Sequence, residues 1–174
     1  MNPDPHTYHI NSLLKFFTGL VWYWNHTQKS GEYDMNKIEW DESLSIGVEL
    51  IDDQHKMLIQ KLRDLSEAFN QGLEQNKILK TLDFIIDYTD FHFTDEERVM
   101  AENEYPGLDE QKKQHEEFKQ TLNNVLLDYQ DEGPTKSLAE SVNIFLVNWL
   151  VGHIKGTDLK LGRFLAEKGQ AEVE

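Results

Sequence analysis

The sequence predicts an all-α protein, an antiparallel up-down four-helix bundle that follows an N-terminal extension. Three observations carry that expectation. From residue 35 onward apolar residues recur at three- and four-residue intervals, compact turn signals separate the periodic stretches, and no run alternates apolar with polar residues as a half-buried strand would. The chain has 174 residues, enough for one domain with a substantial core.

The elements follow in order. Residues 1–34 stand apart as an extension that holds the one apolar run of note, Phe16 to Trp24, behind Leu13 and Leu14. That run is too short to span a bilayer, and no basic region precedes it as in a secretory signal. Leu13, Phe16, Phe17, Leu20 and Trp24 fall at helical spacing. Residues 10–24 are therefore open to several readings: an amphipathic helix that docks on a partner, on a membrane surface or on the main domain, or a stretch of little function. Lys29 to Asp34 is polar and linker-like, and Met35 behind it is a second candidate start that would make the leader an upstream extension. Residues 35–174 are read as the working domain.

After an irregular segment with Trp40, a first helix is expected from about Ile51 to Phe69, with Leu58, Leu62, Leu65 and Phe69 on one face and Gly72 as its stop. A second starts near Asn76 and ends before Tyr105-Pro106-Gly107, carrying Leu79, Leu82, Ile85, Ile86, Phe93 and Val99. The third runs from about Leu108 to Tyr129, with Phe118, Leu122, Val125 and Leu126, and stops at Asp131-Glu132-Gly133-Pro134. The fourth runs from about Ser137 to Lys155 with Leu138, Val142, Phe145, Leu146, Trp149 and Leu150, and a separate short helix covers Leu159 to Ala166.

Composition narrows the chemistry. Lys plus Arg is 17 and Asp plus Glu is 32, a net charge of −15. Binding to a nucleic-acid backbone or an anionic membrane needs basic clusters, so the balance argues against both and favours a soluble protein. A cytoplasmic location and a monomer or small homo-oligomer are expected. The absence of Cys removes disulfides, thiol catalysis, zinc–thiolate sites and iron–sulfur clusters. Any metal is left to His, carboxylate, amide or hydroxyl donors.

The seven histidines then become the residues to place. His55 lies three, seven, ten and fourteen residues before Leu58, Leu62, Leu65 and Phe69, on their core-facing stripe. His92 follows Ile85 by seven, His115 precedes Phe118 by three, and His153 follows Trp149 by four. Each main helix thus points one His into the bundle. A single core-facing His is usually a structural residue with a partner, but four on four helices are not independent, because a buried imidazole costs a few kcal/mol unless it is satisfied. Glu96, four after His92, shares its face, and Asp158 follows His153 by five. Asp95, Glu97, Glu116 and Glu117 are offset from the stripes and read as solvated faces. Imidazoles and carboxylates that converge in a bundle suit a divalent transition metal such as iron, manganese or zinc, and a two-metal centre bridged by Glu96 and Asp158 accounts for every group.

At this point the residues match a family. Trp40, Ile46-Gly47-Val48, Ile51-Asp52-Asp53-Gln54-His55, His92-Phe93-Thr94-Asp95-Glu96-Glu97, Met100, Tyr105-Pro106, His115-Glu116-Glu117-Phe118 and Trp149-Leu150-Val151-Gly152-His153-Ile154 through Asp158 closely resemble hemerythrin, specifically the bacteriohemerythrins, from Ile38 to about Leu165. The resemblance implies two iron ions. His55 and His92 would hold the coordinatively open one that takes O2, His115 and His153 the other, and Glu96, Asp158 and a solvent-derived oxo or hydroxo group would bridge them. It further implies that Leu150, beside Trp149, lines the O2 pocket. Residues 1–34 have no counterpart in the pattern.

One family position departs. The family's HxxxH places a His four before His115, and that position is Gln111. An amide oxygen is a harder, weaker donor than imidazole. Three outcomes stay open: Gln111 ligates directly, a water fills the gap while Gln111 hydrogen-bonds it, or the second site holds metal poorly. The leading functional expectation is carriage, storage or sensing of O2 or another small diatomic. The alternative is a di-iron oxidase, peroxidase or nitric-oxide-reactive enzyme that uses a labile position on the second iron.

Overall fold

The computed structural model describes residues 39–72, 74–133, 135 and 146–171. The expected leader helix within residues 10–24, Met35, and Leu138, Val142 and Phe145 of the fourth helix lie outside them. Among the described residues the protein is helical throughout, with no strand. A short 3₁₀ turn, Glu42–Leu44, precedes α1 (Glu49–Asn70), α2 (Gln75–Glu102), α3 (Leu108–Glu132), α4 (Asn148–His153), a π turn (Ile154–Asp158) and α5 (Leu159–Ala171). This is the expected bundle.

Each helix buries the stripe its periodicity predicts. Ile51, Leu58, Leu62 and Leu65 of α1, Ile78, Leu82 and Ile85 of α2, Phe118, Leu122, Val125 and Tyr129 of α3, and Leu146, Leu150, Ile154 and Leu161 of the last helical path meet in one core. Burial of such side chains contributes about 1.5–3 kcal/mol each. Because the helices run antiparallel, the start of α1, the end of α2, the start of α3 and the α4–α5 path share one end of the bundle. Among the described residues the four histidines lie at that end, and apolar layers fill the other.

The last helical path departs from expectation. No gap separates a fourth helix from a short fifth one, because the Leu159 N–H bonds to the Ile154 carbonyl, the five-residue step of a π turn, and helical dihedrals continue through it. Because that bond carries the chain from the turn directly into the next helix, nothing ends the helix there. It runs on to Ala171 rather than Ala166.

Two contacts seat the segment before α1. The Asp52 carboxylate accepts from Ser45 Oγ at 2.6 Å and from the Ile46 N–H at 2.8 Å, which fixes the chain entering the first turn. The Ile46 backbone then lies against Gly162 so closely that a Cβ there would run into the Ile46 carbonyl. At the other side of the same end, Tyr105 in the α2–α3 turn meets Phe164 edge to face at 5.2 Å.

Helical Gly→Ala changes ordinarily gain about 1 kcal/mol, and Gly169, where an added methyl would meet nothing within 4 Å, should follow that rule. Gly162→Ala should do the reverse. Forcing the Ile46 backbone away should cost about 1–3 kcal/mol, read as a lower urea midpoint than wild type while Gly169→Ala moves it up.

Candidate metal centre

The spacing of each helix delivers its polar groups to one point. His92 and Glu96 stand one turn apart on α2, as do Gln111 and His115 on α3. His153 and Asp158 are five apart, and in a regular α-helix the second would be turned away by roughly 140°. The π turn between them brings both inward: His153 Nε2 lies 3.1 Å from Asp158 Oδ1. All seven predicted site residues, His55, His92, Glu96, Gln111, His115, His153 and Asp158, are buried, none more than 5 % exposed.

They form two groups that share carboxylates. Donor atoms of His55, His92 and Glu96 lie within 4.8 Å of one another, and so do those of Glu96, His115 and His153. Glu96 belongs to both, with Oε2 at 3.3 Å from His115 Nε2. Asp158 also spans them, with Oδ2 at 3.4 Å from His55 Nε2 and Oδ1 facing His153. Gln111 Nε2 donates to Asp158 Oδ1 at 3.0 Å.

The surroundings fix the tautomers. Gln54 donates from Nε2 to Asp95 at 2.7 Å, so its Oε1 faces His92 Nδ1 at 3.0 Å and must accept from an Nδ1–H there. His115 Nδ1 donates to Glu97 Oε1 at 2.8 Å. His153 Nδ1 donates to Gln114 Oε1 at 3.0 Å, and Gln114 is itself held by its amide N–H on Glu110. Three Nε2 lone pairs therefore point inward. Two imidazole planes are also clamped: Phe93 stacks on His115 with centroids 3.8 Å apart, and Trp149 stacks on His153 at 4.4 Å. Leu150 is buried one turn before His153.

Gln54, Gln114, Glu97 and Asp95 thus do more than the helical stripes suggest. Asp95 and Glu97 are not merely solvated acids: Asp95 holds Gln54 of α1, which in turn orients His92 on Asp95's own helix, and Glu97 orients His115 on α3. A residue next to a core-facing one is rotated by about 100°, to the seam with the neighbouring helix, where a core-stripe search passes over it. The signal in the sequence is a polar residue directly flanking His55, Glu96 and His115. Glu116, by contrast, is the exposed residue expected.

The donor set fits a cation. His115 Nε2 and His153 Nε2 lie 3.1 Å apart with both rings donating from Nδ1, so two lone pairs confront each other. His55 Nε2, His92 Nε2, both Glu96 oxygens, Gln111 Oε1 and Asp158 Oδ2 are buried without a partner in hydrogen-bond geometry. Inward-facing lone pairs buried in this number call for positive charge. Burial, with the Asp158 charge beside it, pushes the Glu96 carboxyl up to about 8. Burial also acts to raise Asp158, but the His153 and His55 imidazoles outweigh it and hold that group well below the usual carboxylate range. Burial, reinforced by neighbouring His55, drops His92 well below the ordinary imidazole value, and burial lowers His115 against the pull of Glu97.

Two outcomes follow for measurement. In the metal-free protein the raised Glu96 binds its proton more tightly folded than unfolded, so its contribution is lost as pH rises, whereas the depressed His92 and His115 cost stability only on acidification below their ordinary value. Urea unfolding of chelator-treated protein should therefore show about 1 kcal/mol less stability at pH 8.5 than at pH 7, and metal loading should abolish that decline. Glu97→Ala should leave the helical circular dichroism unchanged yet weaken metal retention against a competing chelator about 10- to 100-fold.

Comparison with known proteins agrees with this geometry. The family described as Hemerythrin HHE cation binding domain matches residues 46–165. The chain is 35 % identical over 123 residues to a myohemerythrin of Theromyzon tessulatum, covering 70 % of this chain and 88 % of that one. It is 31 % identical over 124 residues to a bacteriohemerythrin of Stenotrophomonas maltophilia, covering 71 % and 78 %. A crystal structure of wild-type hemerythrin superposes with a TM-score of 0.67 at 26 % identity, over 74 % of this chain and 97 % of that one. With its bundle, its buried His and carboxylate cluster and these relatives in agreement, the chain belongs to the hemerythrin family.

Proposed function

We propose that the chain holds two iron ions and binds O2 reversibly at them, as a carrier, store or sensor. Hemerythrins are non-haem iron proteins that bind O2. The observation that carries the two-ion reading is the sharing of Glu96 between two donor groups, with Asp158 reaching into both. A single ion would leave half of the cluster's lone pairs orphaned. His55 and His92 hold the first ion, His115 and His153 the second, and the two carboxylates bridge.

Bound iron would supply the electrons and the open coordination position for O2. The chain's own work is to shape the place where that happens. Nδ1–H bonds from His92, His115 and His153 to Gln54, Glu97 and Gln114 hold the imidazoles as neutral Nε2 donors. Gln111 Nε2–H holds one oxygen of Asp158 in place. Phe93 packs against the His92, His115 and His153 rings, Leu150 and Ile154 lie within one turn of His153, and all three are buried and offer no charge to a substrate. That apolar lining supports a small diatomic over the charged substrates an oxidase or peroxidase would require. Leu150, beside Trp149 and buried, is the residue proposed to line the O2 pocket.

Among the described residues no helix is long and apolar enough to cross a membrane. The reading is of a protein that acts in the cytoplasm.

Protein grown with iron should contain two irons per chain, and its optical spectrum should change on reduction and return through repeated cycles of air and oxygen removal. One iron or none would overturn the two-ion reading. Irreversible bleaching with consumption of peroxide would favour the enzyme over the carrier.

A further inference from the structure

The imidazoles divide evenly between the two halves of the cluster, and Gln111 makes those halves unequal. It is completely buried on α3, one turn before His115. Its Nε2–H donates at 3.0 Å to Asp158 Oδ1, the oxygen that also faces His153 Nε2. That bond fixes the amide's orientation, because an amide oxygen cannot meet a carboxylate oxygen at this distance. Gln111 Oε1 is left as a buried acceptor with no partner among the described residues. It is the one amide oxygen among the seven site residues.

We infer that the half formed by His115 and His153 carries a second binding position for a small anionic ligand, with Gln111 Oε1 as the weak donor that this ligand displaces. The inference rests on the two-iron reading. An amide oxygen is held less firmly than imidazole by iron, so a metal here keeps one exchangeable donor beside two firm ones. Charge favours an anion, since Glu96 and Asp158 alone set two negative charges against two metal cations. Phe93 on His115, Trp149 on His153 and Phe118 stacked on Trp149 at 4.1 Å hold those two imidazoles in place, so the amide is the donor that gives way. The amide N–H stays on Asp158 throughout, which leaves the bridge intact while the oxygen gives way.

Azide is a suitable probe. Iron-loaded, oxidised protein is titrated with azide, and calorimetry and the anion-to-iron absorption bands are read together. Wild type should take up two azides per iron pair. Gln111→His should take up one, because the imidazole does not yield. Gln111→Ala should again take up two, the second bound several-fold more tightly since no amide has to be displaced; it carries the test alone if the imidazole disturbs folding by circular dichroism. One azide in wild type with two irons present, or a second azide that persists in folded Gln111→His, overturns the inference and leaves the two-iron reading standing. Fewer than two irons per chain overturns both.

Discussion

The structure depends on one constraint: two carboxylates and four imidazoles are buried together inside a hydrophobic bundle. Taking a carboxylate out of water costs several kcal/mol unless opposite charge accompanies it. The protein meets part of that cost internally, with Asp158 held ionised by the His153 and His55 imidazoles and Glu96 driven toward its protonated form. The remainder is left as two imidazole lone pairs, of His115 and His153, that face one another across 3.1 Å. Such a core is complete only with cations in it. The ordinary aliphatic layers at the far end of the bundle supply the stability that lets this end remain polar.

The same constraint explains the ring of polar residues around the cluster. Each outward Nδ1–H of His92, His115 and His153 is taken by a side chain that flanks a ligand on a neighbouring helix: Gln54 beside His55, Glu97 beside Glu96, Gln114 beside His115. The helices are thereby cross-linked through the imidazoles of the cluster itself. One of these acceptors is a carboxylate and two are amides, so the imidazoles are not electronically equal. His115, backed by the Glu97 carboxylate, is the more electron-rich imidazole, and it stands one turn from the amide at 111.

Backbone geometry is as much part of the centre as the side chains. Without the π turn Asp158 would lie on the wrong side of its helix, and the two halves of the cluster would share one carboxylate rather than two. The extra residue at that turn costs little because its neighbours remain helical and paired. The close seat of Ile46 on Gly162 and the Asp52 hydrogen bonds hold the start of α1 against α5, which keeps His55 within reach of Asp158.

The sequence by itself determined the bundle and the identity of its inward-facing imidazoles and carboxylates, because helical periodicity is local and a stripe of one helix is legible without knowing the next. It also marked Gln111 as the odd donor. Tertiary structure alone decided what depends on relations between helices. Asp95 and Glu97 read as solvated acids along α2, and only the approach of α1 and α3 turned them into partners of Gln54 and His115. The five-residue step from His153 to Asp158 hid a π turn, since nothing in the residues between them separates it from a helix end. Which carboxylate oxygen meets which imidazole, and that the amide at 111 turns its N–H to Asp158 and its oxygen inward, are set by packing four helices at once. Periodicity assigns a residue to a face; what that face meets is a property of the assembled bundle.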